Sequence, residues 1–115
     1  MSRRRWRDYE TRAGRRPVRE FVTQLSEDAR VEVIAAMKDV KDNGLVAARH
    51  VRGEIYEVRA SSAGMEYRVL FATEGRHHHV LLALEGFDKK TQKTPVHLID
   101  LALKRLADWR GRGGS

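Results

Sequence analysis

No cysteine occurs in this sequence, so disulfides, thiolate nucleophiles and Cys-based metal sites are excluded, while the redox compartment stays open. No apolar run approaches the roughly 20 residues that a membrane span needs. No secretory apolar region follows the basic start MSRRRWR. The expectation is a soluble cytoplasmic protein with no membrane association. The phosphate-binding, dinucleotide, nucleophile-elbow and zinc-protease fingerprints are absent. Proline is scarce, at two residues, and both mark places where a helix can begin.

What the chain has in excess is positive charge. Lys and Arg number 23 against 16 Asp and Glu, a formal +7 over 115 residues. Such a surplus favours polyanionic partners: nucleic acid, an anionic membrane or an acidic protein. The length fits one domain, expected over residues 1–110, with 111–115 as a flexible tail.

Hydrophobic periodicity predicts the elements. Residues 4–10 (RRWRDYE) suggest a short edge strand. Pro17 suits the first position of a helix, and Val18, Phe21, Val22 and Leu25 form one apolar stripe. Ser26 is placed to cap a second helix with the stripe Val33, Ala36, Met37, Val40, which Asn43-Gly44 stops. Residues 45–52 (LVAARHVR) are expected to be a connector carrying Arg49, His50 and Arg52. Strands are predicted at about 54–60, 65–73 and 79–87. The last is apolar on both faces and therefore central in its sheet. Thr94 and Pro95 open a final helix with the stripe Val96, Ile99, Ala102, Leu103, Leu106. The fold class expected is α+β: a small antiparallel sheet of three to four strands, packed by an N-terminal helical hairpin and a C-terminal helix, with one sheet face left open.

Two groups of cations stand out. Arg59 and Arg68 sit inside predicted neighbouring strands near the Ser61–Gly64 turn. They read either as solvated charges on an outer sheet face or as paired guanidiniums forming a phosphate clamp on an open face. Lys89, Lys90 and Lys93 crowd the loop after the last strand. They read either as solvated charges or as a group whose mutual repulsion lowers a lysine pKa enough for acid–base work. Gln92 and Thr91 can hydrogen-bond a base or phosphate. The run His77–His79 reads as a hairpin turn rather than a metal site, since neighbours on a strand point to opposite faces. No metal and no cofactor is expected.

The segments IYEVR, EYRVLFA and FDKKTQKTP, with the RRPVREF opening of the first helix, resemble the phage-derived toxin-like family of the RelE/ParE toxin superfamily, close to the HigB toxins. The resemblance covers nearly the whole chain, and Phe87 to Pro95 is its most specific part. It implies a RelE/ParE-like toxin fold and the toxin role of a type II toxin–antitoxin system. It implies metal-independent cleavage of mRNA in the ribosomal A site, and neutralisation by a helix-turn-helix antitoxin. The positions that match the family's pattern are Arg59, Arg68, Lys89, Lys90 and Lys93. Arg59, Arg68, Lys89 and Lys90 are expected as catalytic residues, and Arg49, Arg52, Gln92 and Lys93 as RNA contacts. The alternative kept beside it is a non-nucleolytic relative on the same fold, either a gyrase poison or an antitoxin-bound regulator.

Overall fold

In a computed structural model, the structure describes residues 3–89 and 93–114. After strand β1 (Arg5–Asp8), Pro17 opens α1 (Pro17–Gln24), where its missing N–H costs nothing. Ser26 caps α2 (Glu27–Asn43): its hydroxyl accepts the Ala29 N–H at 3.3 Å, and Glu27 and Asp28 lie at the positive end of the helix. Gly44 ends α2 with φ of +83°, and an added Cβ there would fall 2.6 Å from the Arg4 guanidinium. Both facts favour glycine at that turn. The chain then forms β2 (Arg49–Arg52), β3 (Ile55–Ser62), β4 (Met65–Glu74), β5 (Val80–Lys89) and α3 (Val96–Gly111). Among the described residues no helix is long and apolar enough to cross a membrane.

The five strands make one mixed sheet in the order β1-β5-β4-β3-β2. All neighbours are antiparallel except β1 and β5, which run parallel from Arg5–Val80 to Asp8–Ala83. This corrects the expected antiparallel sheet of three to four strands in two places. Residues 49–52, expected as connector, pair with β3 as a short edge strand with an irregular register. A segment of four residues without alternation carries no strand signal of its own. The second correction is β1, whose parallel pairing joins distant parts of the chain and leaves no local trace. Strand β5 is buried on both faces, and β1 supplies the outer neighbour that a central strand requires.

Each face of the sheet has its own core. On one, Val18 and Phe21 of α1 and Val33 and Val40 of α2 pack on Val58, Val69, Phe71, Leu81 and Ala83. On the other, Ala102, Leu106 and Trp109 of α3 pack on Ile55, Leu70, Ala72, Leu82 and Leu84. The second face is therefore not open, as expected, but carries α3 over Ile55, Leu70, Ala72, Leu82 and Leu84. His77 and His78 lie in a tight turn at positive φ, and the His79 carbonyl accepts the Arg5 N–H. Beyond α3, the N–H groups of Arg112, Gly113 and Gly114 bond back to its last carbonyls.

Two predictions follow from this packing. A Cβ at Gly86 would collide with the Phe21 ring, whose nearest atom would be 2.3 Å away. Gly86→Ala should destabilise the protein by about 1–3 kcal/mol in chemical denaturation, as overpacking does. At the far end of α3, Arg110 bridges Glu54 (2.7 Å) and Glu74 (2.7 Å). The Arg110 hydrogen bonds hold the Glu54 carboxyl below its ordinary range against the opposing effect of burial. A depressed carboxyl contributes stability that is present above its unfolded value of about 4.3 and is lost as pH falls through the folded value. Thermal melts should therefore show wild type above Arg110→Met at neutral pH and the gap closing in acid.

Candidate active site

Period-two geometry places the charged residues. Both β3 and β4 carry the pattern Glu-x-Arg, as Glu57-Val58-Arg59 and Glu66-Tyr67-Arg68. Alternate residues of a strand share a face, so each carboxylate sits beside its arginine. The antiparallel register then sets Arg59 directly opposite Arg68, with Arg68 opposite Phe87 and Glu66 opposite Lys89 on β5. All lie on the α3 face, beyond the point where the helix covers it.

Arg68 is wholly buried, and Glu57 is 1% exposed. The Arg68 guanidinium donates to Glu66 at 3.0 Å and to the Thr94 hydroxyl at 3.4 Å, and stands 3.6 Å from Glu57. Glu57 accepts from Arg59 Nε at 2.8 Å and from the Thr94 hydroxyl at 2.6 Å. Thr94 thus ties the segment leading into α3 to the floor of the sheet. The expectation of two guanidiniums on an open face is corrected for Arg68: strands β3, β4 and β5 and the Thr94 segment close over it. Arg59, at the outer side, keeps its side chain 34% exposed.

Lys89 is the third cation of the group and is 8% exposed. Burial pushes its ammonium below the usual lysine pKa. The Arg68 charge acts in the same direction, and Glu57 and Glu66 oppose both. Three cations face two carboxylates in this corner, so it retains a positive excess where water is scarce, a setting suited to holding a phosphate.

The other expected residues are more scattered. Arg49 is exposed and stands opposite Glu57 in register, on the same face. Arg52 is drawn to Asp100 of α3, at 2.5 Å. Lys93 is exposed beside Thr94. Lys90 and Gln92 lie outside the described residues. Among the described residues no three His, Asp or Glu side chains converge as metal ligands. A groove of about 650 Å³ runs beside Arg59 between β3 and α2, but Glu32, Asp39 and Glu66 rim it, which disfavours an anion there. Sequence reasoning missed Glu57, Glu66 and Thr94. The repeated Glu-x-Arg was the available signal, since a period-two acid beside a strand arginine predicts a paired charge.

The burial of Arg68 changes what its removal means. Arg68→Ala strips buried Glu57 of one cation and should cost about 3–5 kcal/mol, as breaking a buried pair does. Arg68→Lys should recover part of that loss. Denaturant titration of both variants checks this, and it must accompany any activity measurement on Arg68.

Comparison with known proteins places this geometry in context. Residues 20–107 match the family described as "Phage derived protein Gp49-like (DUF891)". Curated relatives from two strains of Mycobacterium tuberculosis, each named "Probable endoribonuclease HigB1", are 35% identical over 109 residues, spanning 91% of this chain and 84% of theirs. The family match extends from within α1 through most of α3 and includes every residue of the buried charge cluster. The chain belongs to the phage-derived Gp49-like family of HigB-like toxins.

Proposed function

We propose that this chain is the toxin of a type II toxin–antitoxin system and that it cleaves mRNA on the ribosome, in the cytoplasm, by metal-independent chemistry. The observation that carries the reading is the cationic corner formed by Arg59, Arg68 and Lys89 on one sheet face. Likeness to relatives named as probable endoribonucleases supports it.

In the proposed reaction the 2′-hydroxyl of RNA attacks the adjacent phosphorus and the 5′-oxygen leaves. The products are a 2′,3′-cyclic phosphate and a 5′-hydroxyl. Arg59 contacts the phosphate from its exposed side. Arg68, buried beneath, holds Glu57 and Glu66 in place and adds positive charge without touching substrate. Lys89 gives its proton to the departing 5′-oxygen, a task its lowered pKa favours. Lys90 is assigned the second proton transfer, and Arg49, Arg52, Gln92 and Lys93 contact the flanking RNA. A helix-turn-helix antitoxin is the proposed partner that neutralises the toxin.

The test is induction in cells with mapping of mRNA 5′ ends, for wild type beside Lys89→Met and Lys89→Arg. Wild type should generate new 5′ ends within translated messages. Both variants should lower cleavage by about 10²–10⁴-fold, the usual scale for a lost acid or base. With purified components, the wild-type rate should fall as pH rises through the Lys89 pKa, below the reference of about 10.4. Growth arrest with intact messages and broken DNA would support the gyrase-poison alternative instead.

A further inference from the structure

The net charge is distributed unevenly. The first nineteen residues hold eight arginines against only Asp8 and Glu10, which leaves +6 there out of +7 for the whole chain. The remaining residues carry fifteen basic and fourteen acidic side chains. Of the eight arginines, Arg12 and Arg15 pair with Asp108 and Glu20, while Arg3, Arg5, Arg7, Arg16 and Arg19 gather at the β1 edge and make it strongly cationic. That edge is separated from Arg59 on β3 by three strand spacings, about 14 Å. It also borders the start of β5, whereas Lys89 ends that strand.

The fold arranges these arginines. Arg3, Arg5 and Arg7 are exposed and alternate with half-buried Arg4, Trp6 and Asp8. A strand repeats every two residues at about 6.7 Å, a step close to that between phosphates of an extended RNA strand. Arg7 is held over the Trp109 ring at 5.0 Å. From the other face of the sheet, α1 brings Arg16 and Arg19 to the same edge. Together with Arg112 of the α3 terminus they line a groove of about 500 Å³, walled by Trp6 and Trp109.

The acids present do not neutralise it. Glu10 pairs with Arg16 at 3.1 Å, and Asp8 stands 4.0 Å from Arg19. Arg112 is taken by Asp108 at 2.9 Å and by the Glu10 carbonyl. Arg16 and Arg19 stay substantially exposed, at 45% and 65% of their side chains, so these pairs are weak surface contacts. An acidic protein segment would need an apolar floor to anchor on. In this groove Trp109 is buried under Arg7, so guanidiniums face the ligand, and the apolar hollow of Val18, Val22, Ile34 and Met37 lies on the α2 side of Arg19. Guanidinium forks match phosphate oxygens.

We propose that the β1 edge is a second RNA-binding site, which takes the phosphodiester backbone of single-stranded RNA along Arg3, Arg5 and Arg7 and into the groove between α1 and the end of α3. This goes beyond the cleavage reading and does not rest on it.

The experiment uses the full chain and a fluorophore-labelled 2′-O-methyl oligouridylate, which has no free 2′-hydroxyl to attack. Binding is followed by anisotropy from about 0.05 to about 0.2 M salt. The Arg5→Gln/Arg7→Gln/Arg19→Gln variant should bind at least about tenfold more weakly at the lower salt. Its log–log salt slope should be shallower by about 2, the value for three phosphates on a single strand. The corresponding triple lysine variant should keep most of the affinity, which a merely structural loss would not allow. Wild-type affinity and slope in the glutamine variant would overturn the proposal. So would equal losses in the two triple variants, or a polyglutamate peptide displacing the probe as well as unlabelled RNA of equal charge. A Lys89→Met protein that retains cleavage while the β1-edge result holds would instead remove the cleavage assignment alone.

Discussion

A carboxylate sealed from water needs partners on every side, and Glu57 obtains them from three parts of the chain. Arg59 reaches it along its own strand, Arg68 from the neighbouring strand, and Thr94 from the segment before α3. The cost of an unpaired buried charge is several kcal/mol, so these partners are held together by necessity. The consequence reaches past the cluster. Thr94 is fixed where the basic loop rejoins the fold, so the orientation of α3 and the exit of that loop both depend on one carboxylate. Lys89 lies in the same corner, where burial first and the Arg68 charge second lower its pKa against the opposing pull of Glu57 and Glu66.

Much of this was legible in the sequence where the signal is local. The cap at Ser26, the start at Pro17, the stop at Gly44 and the α3 stripe at Ile99, Ala102 and Leu106 each follow from residues within a few positions of one another. Two expectations at the start of α3 are corrected: Val96 is exposed, and the Thr94 hydroxyl donates to Glu57 instead of capping the helix. The double-sided apolar run of β5 correctly announced a central strand. What escaped was long-range. The pairing of β1 with β5 joins residues some seventy-five positions apart, and β2 is too short to show a period. The site followed the same rule. Strand assignment was enough to bring Arg59 and Arg68 together, because register follows from the tight turn between β3 and β4. The burial of Arg68 was not legible, since it depends on how the segment before α3 settles against the sheet. Glu57 was legible in principle, since Arg59 stands two residues on along the same face, but its contacts with Arg68 and Thr94 are long-range and left no local trace.

The placement of charge separates two roles that a bare +7 would merge. Cations in the β3–β5 corner are nearly balanced by Glu57 and Glu66, and their geometry is fixed by burial. Such an arrangement contributes little long-range field but positions a few groups closely, which suits chemistry on one phosphate. Cations at the β1 edge are exposed and held only by weak surface pairs. They contribute field and little positional precision, which suits capture of a polyanion. A single small sheet can serve both because β1 borders the start of β5, whereas Arg59, Arg68 and Lys89 gather at the level where β5 ends.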